Sequence, residues 1–173
     1  MNDFPASQKS VIPGGFSTRY EGDPITGMRK AHKDQLELCD TLEQIADSLP
    51  ENVDRQLCLH AARALWPLVR GVHSYEENAV FPRLERILAN ADGITHTIAR
   101  LKHEHAQDEC YAEELTDTLL RLGAGDKGLN HETVGYMLRG FFEATRRHVA
   151  FEQEHLVMLA RNSGAFPAPA VTK

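Results

Sequence analysis

A histidine is followed four residues later by a glutamate at His73–Glu77 and again at His148–Glu152. On a helix, residues four apart share one face and lie about 6 Å apart along the axis. Each pair therefore presents an imidazole beside a carboxylate. Those ligand types suit iron, manganese or zinc, and the absence of clustered cysteines argues against a structural zinc knot. Two such pairs on separate helices are half of a dinuclear metal site, and the remaining ligands must come from the rest of the chain.

The elements that must hold these pairs are legible in the hydrophobic period. Asp23-Pro24 is an N-cap followed by a proline at the first helical position. From there Ile25, Met28, His32, Gln35, Cys39, Leu42, Ala46 and Leu49 recur at three- and four-residue steps until Pro50. A second helix, from about 52 to about 88, carries Ala62, Trp66, Val69, His73, Glu76 or Glu77, Val80, Leu84 and Ile87. Pro67 is expected to kink it, and Pro82 to split off its last turns. A third helix, about 94–122, repeats the stripe at Ile94, Ile98, Leu101, His105, Asp108, Ala112, Leu115, Leu119 and Leu122, with Gly123 as its cap. The fourth starts at the N-cap Asn130 and reaches about 161 through Val134, Met137 or Leu138, Phe141, Thr145, His148, Glu152, His155 and Leu159. The prediction is all-α, an up-down-up-down antiparallel four-helix bundle over about 23–161. An extended N-terminal arm over 1–22 and a flexible C-terminal tail over 162–173 flank it.

Composition narrows the partners. The 173 residues suit one domain, 25% are charged, and the net charge of −6 comes without a Lys/Arg run, so no nucleic-acid partner is expected. No apolar run approaches the length of about 18 residues that a membrane helix needs, and the N-terminus lacks a signal-peptide pattern. Cys39, Cys58 and Cys110 are scattered and odd in number, which fits a reducing, cytoplasmic setting.

Each helix carries a histidine on its apolar stripe at a comparable level: His32, His73, His105 and His148. Counting from the loops, Glu77 lies about 14 residues before a turn near 91 and His105 about 14 after it. His105 and His148 are about 21 and 22 residues from a turn near 126, and His32 and His73 about 18 and 23 from one near 50. One histidine on an apolar stripe is ordinarily a hydrogen-bonded core residue, and one His-x3-Glu an ordinary helical pair. Six such groups at one level are different, because each would cost about 1–3 kcal/mol if buried unsatisfied. A metal cluster compensates them directly and couples binding to folding. A ferritin-like site is excluded, since it needs two Glu-x-x-His pairs and only Glu152–His155 is available at a suitable position.

His32, His73-x3-Glu77 with Phe81-Pro82 behind it, Glu104-His105 and His148-x3-Glu152 together resemble the hemerythrin family in its bacterial HHE cation-binding branch. The resemblance spans about 24–160. It implies a non-haem centre of two iron ions, carboxylate-bridged, with zinc or manganese as alternative metals. Carried over, His32 and His73 would bind one iron, His105 and His148 the other, and Glu77 and Glu152 would bridge. Oxygen-carrying members have a further histidine where this chain has Leu101, and a His-x4-Asp pair where this chain has His148-x3-Glu152. Those departures leave an open position and point away from simple reversible oxygen carriage.

Asp108, Glu109, Glu76 and His155 are read as neighbours of the layer rather than ligands, and His60, His96, His103 and His131 as surface residues. The expected ligand is dioxygen, peroxide or nitric oxide, in a sensing, scavenging or storage role. The first alternative is an enzyme acting on peroxide or nitric oxide or in iron–sulfur repair, and the second is an iron-dependent interaction module.

Overall fold

A computed structural model of the chain describes Tyr20 and residues 22–163. The helices run α1 (Pro24–Ser48), α2 (Arg55–Tyr75), α3 (Phe81–Ile87), α4 (Ile94–Ala124), α5 (His131–Phe151) and α6 (Met158–Asn162). One π-helical turn, Glu76–Val80, joins α2 to α3, and another, Glu152–Val157, joins α5 to α6. There is no strand among the described residues. The helices therefore form four rods: α1, α2 with α3, α4, and α5 with α6. The first rod packs against the second and fourth, and α4 packs against α2 and α5. That adjacency, with short connections, is the expected four-helix bundle.

The ends are set locally. Asp23 accepts from the Thr26 N–H at 3.1 Å and Asp54 from the Gln56 N–H at 2.9 Å, each satisfying an otherwise orphaned donor. Asn130 does the same for Thr133 at 3.1 Å. The third rod ends later than its sequence suggests. Gly125, at φ 78°, is the left-handed cap, whereas Gly123 lies inside α4 and is buried close to Leu59. Pro67 sits within α2, which continues through it. The arm expected over 1–22 and the tail over 162–173 lie mostly outside the described residues. Tyr20 is buried, however, and its hydroxyl donates to Asp34 at 3.0 Å.

The apolar core is divided in two. One part contains Leu38, Leu42, Ile45, Leu65, Val69, Leu115, Leu119, Leu138 and Phe141. The other contains Ile25, Met28, Val80, Phe81, Leu84, Ile98, Leu101 and Leu156. On every rod the chain passes from one part to the other through buried polar residues: His32 and Gln35, His73 and Glu76, His105, then Thr145, His148 and Glu152. A polar layer thus crosses the bundle between two hydrophobic blocks.

Close to this layer Tyr75 lies against α1 and donates to the Pro24 carbonyl at 3.2 Å. Gly27 makes the approach feasible, because a Cβ there would clash with the Tyr75 hydroxyl. Gly27→Ala is expected to destabilise the fold by about 1–3 kcal/mol in chemical denaturation, the cost of overpacking. Adding Tyr75→Phe removes the clashing oxygen, so the double variant should be less destabilised than the sum of the two single changes.

Candidate metal centre

The layer is built from both π turns. Pro82 has no N–H for the Asn78 carbonyl, and the Phe81 N–H instead reaches back five residues to Glu76. The Asn78 side chain donates to the Ser74 carbonyl at 2.7 Å, supplying a bond within the widened turn. The turn leaves Glu76 fully buried and facing the core, while Glu77 sits at its side, 35% exposed. The second π turn likewise begins at a fully buried carboxylate, Glu152.

These two carboxylates straddle the layer in the same way. Glu152 accepts from His32 Nε2 through Oε2 at 2.8 Å, and its Oε1 lies 3.5 Å from His148 Nε2. Glu76 places Oε1 3.4 Å from His32 Nε2 and Oε2 3.4 Å from His105 Nε2. Each carboxylate therefore has one oxygen toward His32 and the other toward the His105–His148 pair. Those two imidazoles bring their Nε2 atoms within 3.3 Å of each other. One ligand atom from each of Glu76, His105, His148 and Glu152 falls within 4.8 Å of all the others. His73 lies on the same side, its ring parallel to that of His105 with centroids 3.9 Å apart.

Electrostatics divides the imidazoles into two kinds. Burial by itself disfavours the charged form, but at His32 the hydrogen bonds and charges of Glu152 and Glu76 outweigh it and push the pKa up to about 9. His148 is likewise desolvated and likewise raised to about 9, chiefly by Glu152. At His73 the charge of Glu152 compensates too little, and burial, reinforced by His105 and His148, takes it down to about 2. His105 is also lowered by burial, against the opposing bond to Glu77. The Glu76 carboxyl is raised by burial and the nearby Glu152 charge. Glu152 is held below the usual carboxylate range because its bonds from His148 and His32 overcome its desolvation.

Protein groups alone do not satisfy this layer. Glu76 Oε1, Glu76 Oε2 and Glu152 Oε1 are buried without a hydrogen-bond partner among the described residues. Each such group ordinarily costs about 1–3 kcal/mol, and more when charged. Imidazole nitrogens and carboxylate oxygens converging on these atoms are the donor set of a transition-metal cation. Thiolate plays no part, since Cys39 and Cys58 pack in the apolar block and Cys110 is on the surface. The residues fit bound metal.

Of the six expected ligands, the structure brings His32, His105, His148 and Glu152 together around Glu76, with His73 stacked behind His105. Glu77, expected to bridge, instead meets the outward nitrogen of His105, Nδ1, at 2.9 Å. Two signals for Glu76 stand in the sequence: its three-residue spacing from His73, which also shares a helical face, and the proline that widens the turn after it. His73 Nδ1 faces Glu109 at 3.4 Å, so that glutamate neighbours the layer as an imidazole partner. Asp108 is partly buried, and burial raises its pKa. His155 is exposed and stacks on Phe151 with centroids 4.4 Å apart. His60, His96 and His103 are exposed. Leu101, at the place of the missing histidine, is fully buried in the apolar block.

No helix among the described residues is long and apolar enough to cross a membrane. Neither the curated proteins nor the solved structures contain a significant match to the chain. The family model described as Hemerythrin HHE cation binding domain matches residues 23–160, which takes in every residue of the layer and all but the last two residues of the four rods. The chain belongs to the hemerythrin HHE cation-binding family.

Proposed function

We propose that the chain is a non-haem di-iron protein that binds dioxygen or a related small ligand, peroxide or nitric oxide, in a sensing, scavenging or storage role. The observation that carries this reading is the shared placement of Glu76 and Glu152, each with one oxygen toward His32 and one toward His105 or His148. Carboxylates so placed would be able to hold two cations at once. His32, His73, His105 and His148 supply nitrogen, and Glu76 takes the bridging role that the resemblance gives to Glu77. A pair of ferrous ions bound there would supply redox electrons and open coordination sites for a small ligand. The chain's own contribution is the rest: two apolar blocks exclude water above and below, and Leu101 offers a hydrocarbon wall where a further imidazole would close the coordination sphere.

Metal content and an optical spectrum of protein from iron-supplied cells test this directly. About two irons per chain, with near-ultraviolet bands that change on adding dioxygen, peroxide, azide or nitric oxide, are expected. Iron-loaded protein with no spectral response to any of them would overturn the ligand-binding role. Sustained turnover with a reductant would move the protein to the enzyme class.

Two variants separate the adjacent glutamates. Glu76→Gln should lose at least one of the two ions at saturation, because a carboxamide cannot bridge. Glu77→Gln should retain both and bind the ion held by His105 about 10–100-fold more weakly, the usual cost of losing a partner behind a ligand. Metal analysis after dialysis reads both.

Loading should also release protons. His32 and His148, at about 9, carry protons at neutral pH that a metal must displace, so apparent affinity should rise with pH up to that value. The metal-free fold should respond in the opposite sense. Raised histidines contribute stability that is complete below their ordinary value of 6.5 and lost as pH climbs through about 9. His73, lowered to about 2, contributes stability that is complete above 6.5 and lost as pH falls below it. Calorimetric metal titrations in buffers of different ionisation enthalpy, and melting curves across pH 5–10, check both signs.

A further inference from the structure

All four buried imidazoles meet a side chain from outside the layer at Nδ1, and those partners are not alike. His105 faces Glu77 Oε1 at 2.9 Å, His148 faces Glu104 Oε2 at 3.3 Å, and His73 faces Glu109 Oε1 at 3.4 Å. His32 faces the amide of Gln153 at 3.2 Å. A carboxylate that accepts from Nδ1–H holds the imidazole in the tautomer whose Nε2 lone pair points inward, and makes that nitrogen a stronger ligand. An amide is neutral whichever way it is turned, and gives the ring no such push.

The difference follows the geometry of the layer. The three carboxylate-backed imidazoles lie on one side, since the rings of His73, His105 and His148 are mutual neighbours, with centroids 3.9, 5.1 and 6.3 Å apart. That side already gathers ligand atoms of Glu76, His105, His148 and Glu152 within 4.8 Å. His32 stands on the other side, with Glu152 Oε2 at 2.8 Å and Glu76 Oε1 at 3.4 Å. Glu104 is itself held in place, its Oε1 lying 3.3 Å from Arg100 Nε.

Resting on the two-metal reading above, we infer that the two cation positions are unequal and fill in order. The position at His105 and His148 takes the first ion tightly because Glu77 and Glu104 orient and strengthen its imidazoles. The position at His32, whose own imidazole faces only the amide of Gln153, takes the second ion weakly and exchanges it. Glu77, Glu104 and Gln153 are positioning residues that set this difference without touching metal.

The test is a Co(II) titration of the metal-free full chain, followed by visible absorption, with far-ultraviolet circular dichroism as the fold control. Wild type should bind two ions in separate steps, the first at least tenfold tighter. Glu104→Gln, which keeps the shape and removes the charge, should weaken the first step about 10–100-fold and leave the second nearly unchanged. Gln153→Glu should tighten the second step by about tenfold and narrow the gap. A merely structural role would move neither step selectively. Two equal steps in wild type, or variants that shift both steps together, would overturn the inference and leave the two-metal reading intact. Saturation at one ion or none would overturn that reading and this inference with it.

Discussion

Two carboxylates inside a hydrocarbon core are the constraint on which this molecule depends. Glu76 and Glu152 are fully buried between two apolar blocks, where an uncompensated charge costs several kcal/mol. The imidazoles on neighbouring rods compensate in part. Protons held on His32 and His148 pair with the glutamates, yet three carboxylate oxygens have no hydrogen-bond partner among the described residues. A cation resolves what protons do not, because it accepts several oxygens and nitrogens at once. Metal binding and folding then draw on the same free energy.

Backbone geometry decides which carboxylates enter. Both buried glutamates open a π-helical turn, and such turns change the face that each following residue presents. At the first turn the cause is local, in the donor that Pro82 lacks and the longer bond that Phe81 makes to Glu76. The tandem glutamates then hold His105 from both ends. Glu76 lies 3.4 Å from its inward nitrogen and Glu77 2.9 Å from its outward one. Neighbouring residues of the same type thus take different parts through a single widened turn.

The layer is also tied to the surface. Glu77, Glu104 and Glu109 are partly exposed, and each touches a buried imidazole. Solvent therefore reaches the outer carboxylates while the inner ones stay dry, an arrangement that keeps electrostatics in the interior strong. His32 differs in facing an amide, so the two sides of the layer are chemically distinct despite their shared carboxylates.

The sequence by itself determined the bundle and the level at which its buried histidines meet. Hydrophobic period, Asp23-Pro24 and Asn130 defined the rods, and counting from the loops brought His32, His73, His105 and His148 to one height because the helical rise is nearly constant. Periodicity assumes a regular helix, however, and there it ran out. An unbroken α-helix aligns Glu77 with His73, so only the folded backbone, with its π turn before Pro82, could turn Glu76 inward and Glu77 aside. The outer partners were equally invisible in one dimension. Glu109 meets His73, Glu104 meets His148 and Gln153 meets His32 across separate helices, and such pairings depend on how rods rotate and pack rather than on spacing along any one of them.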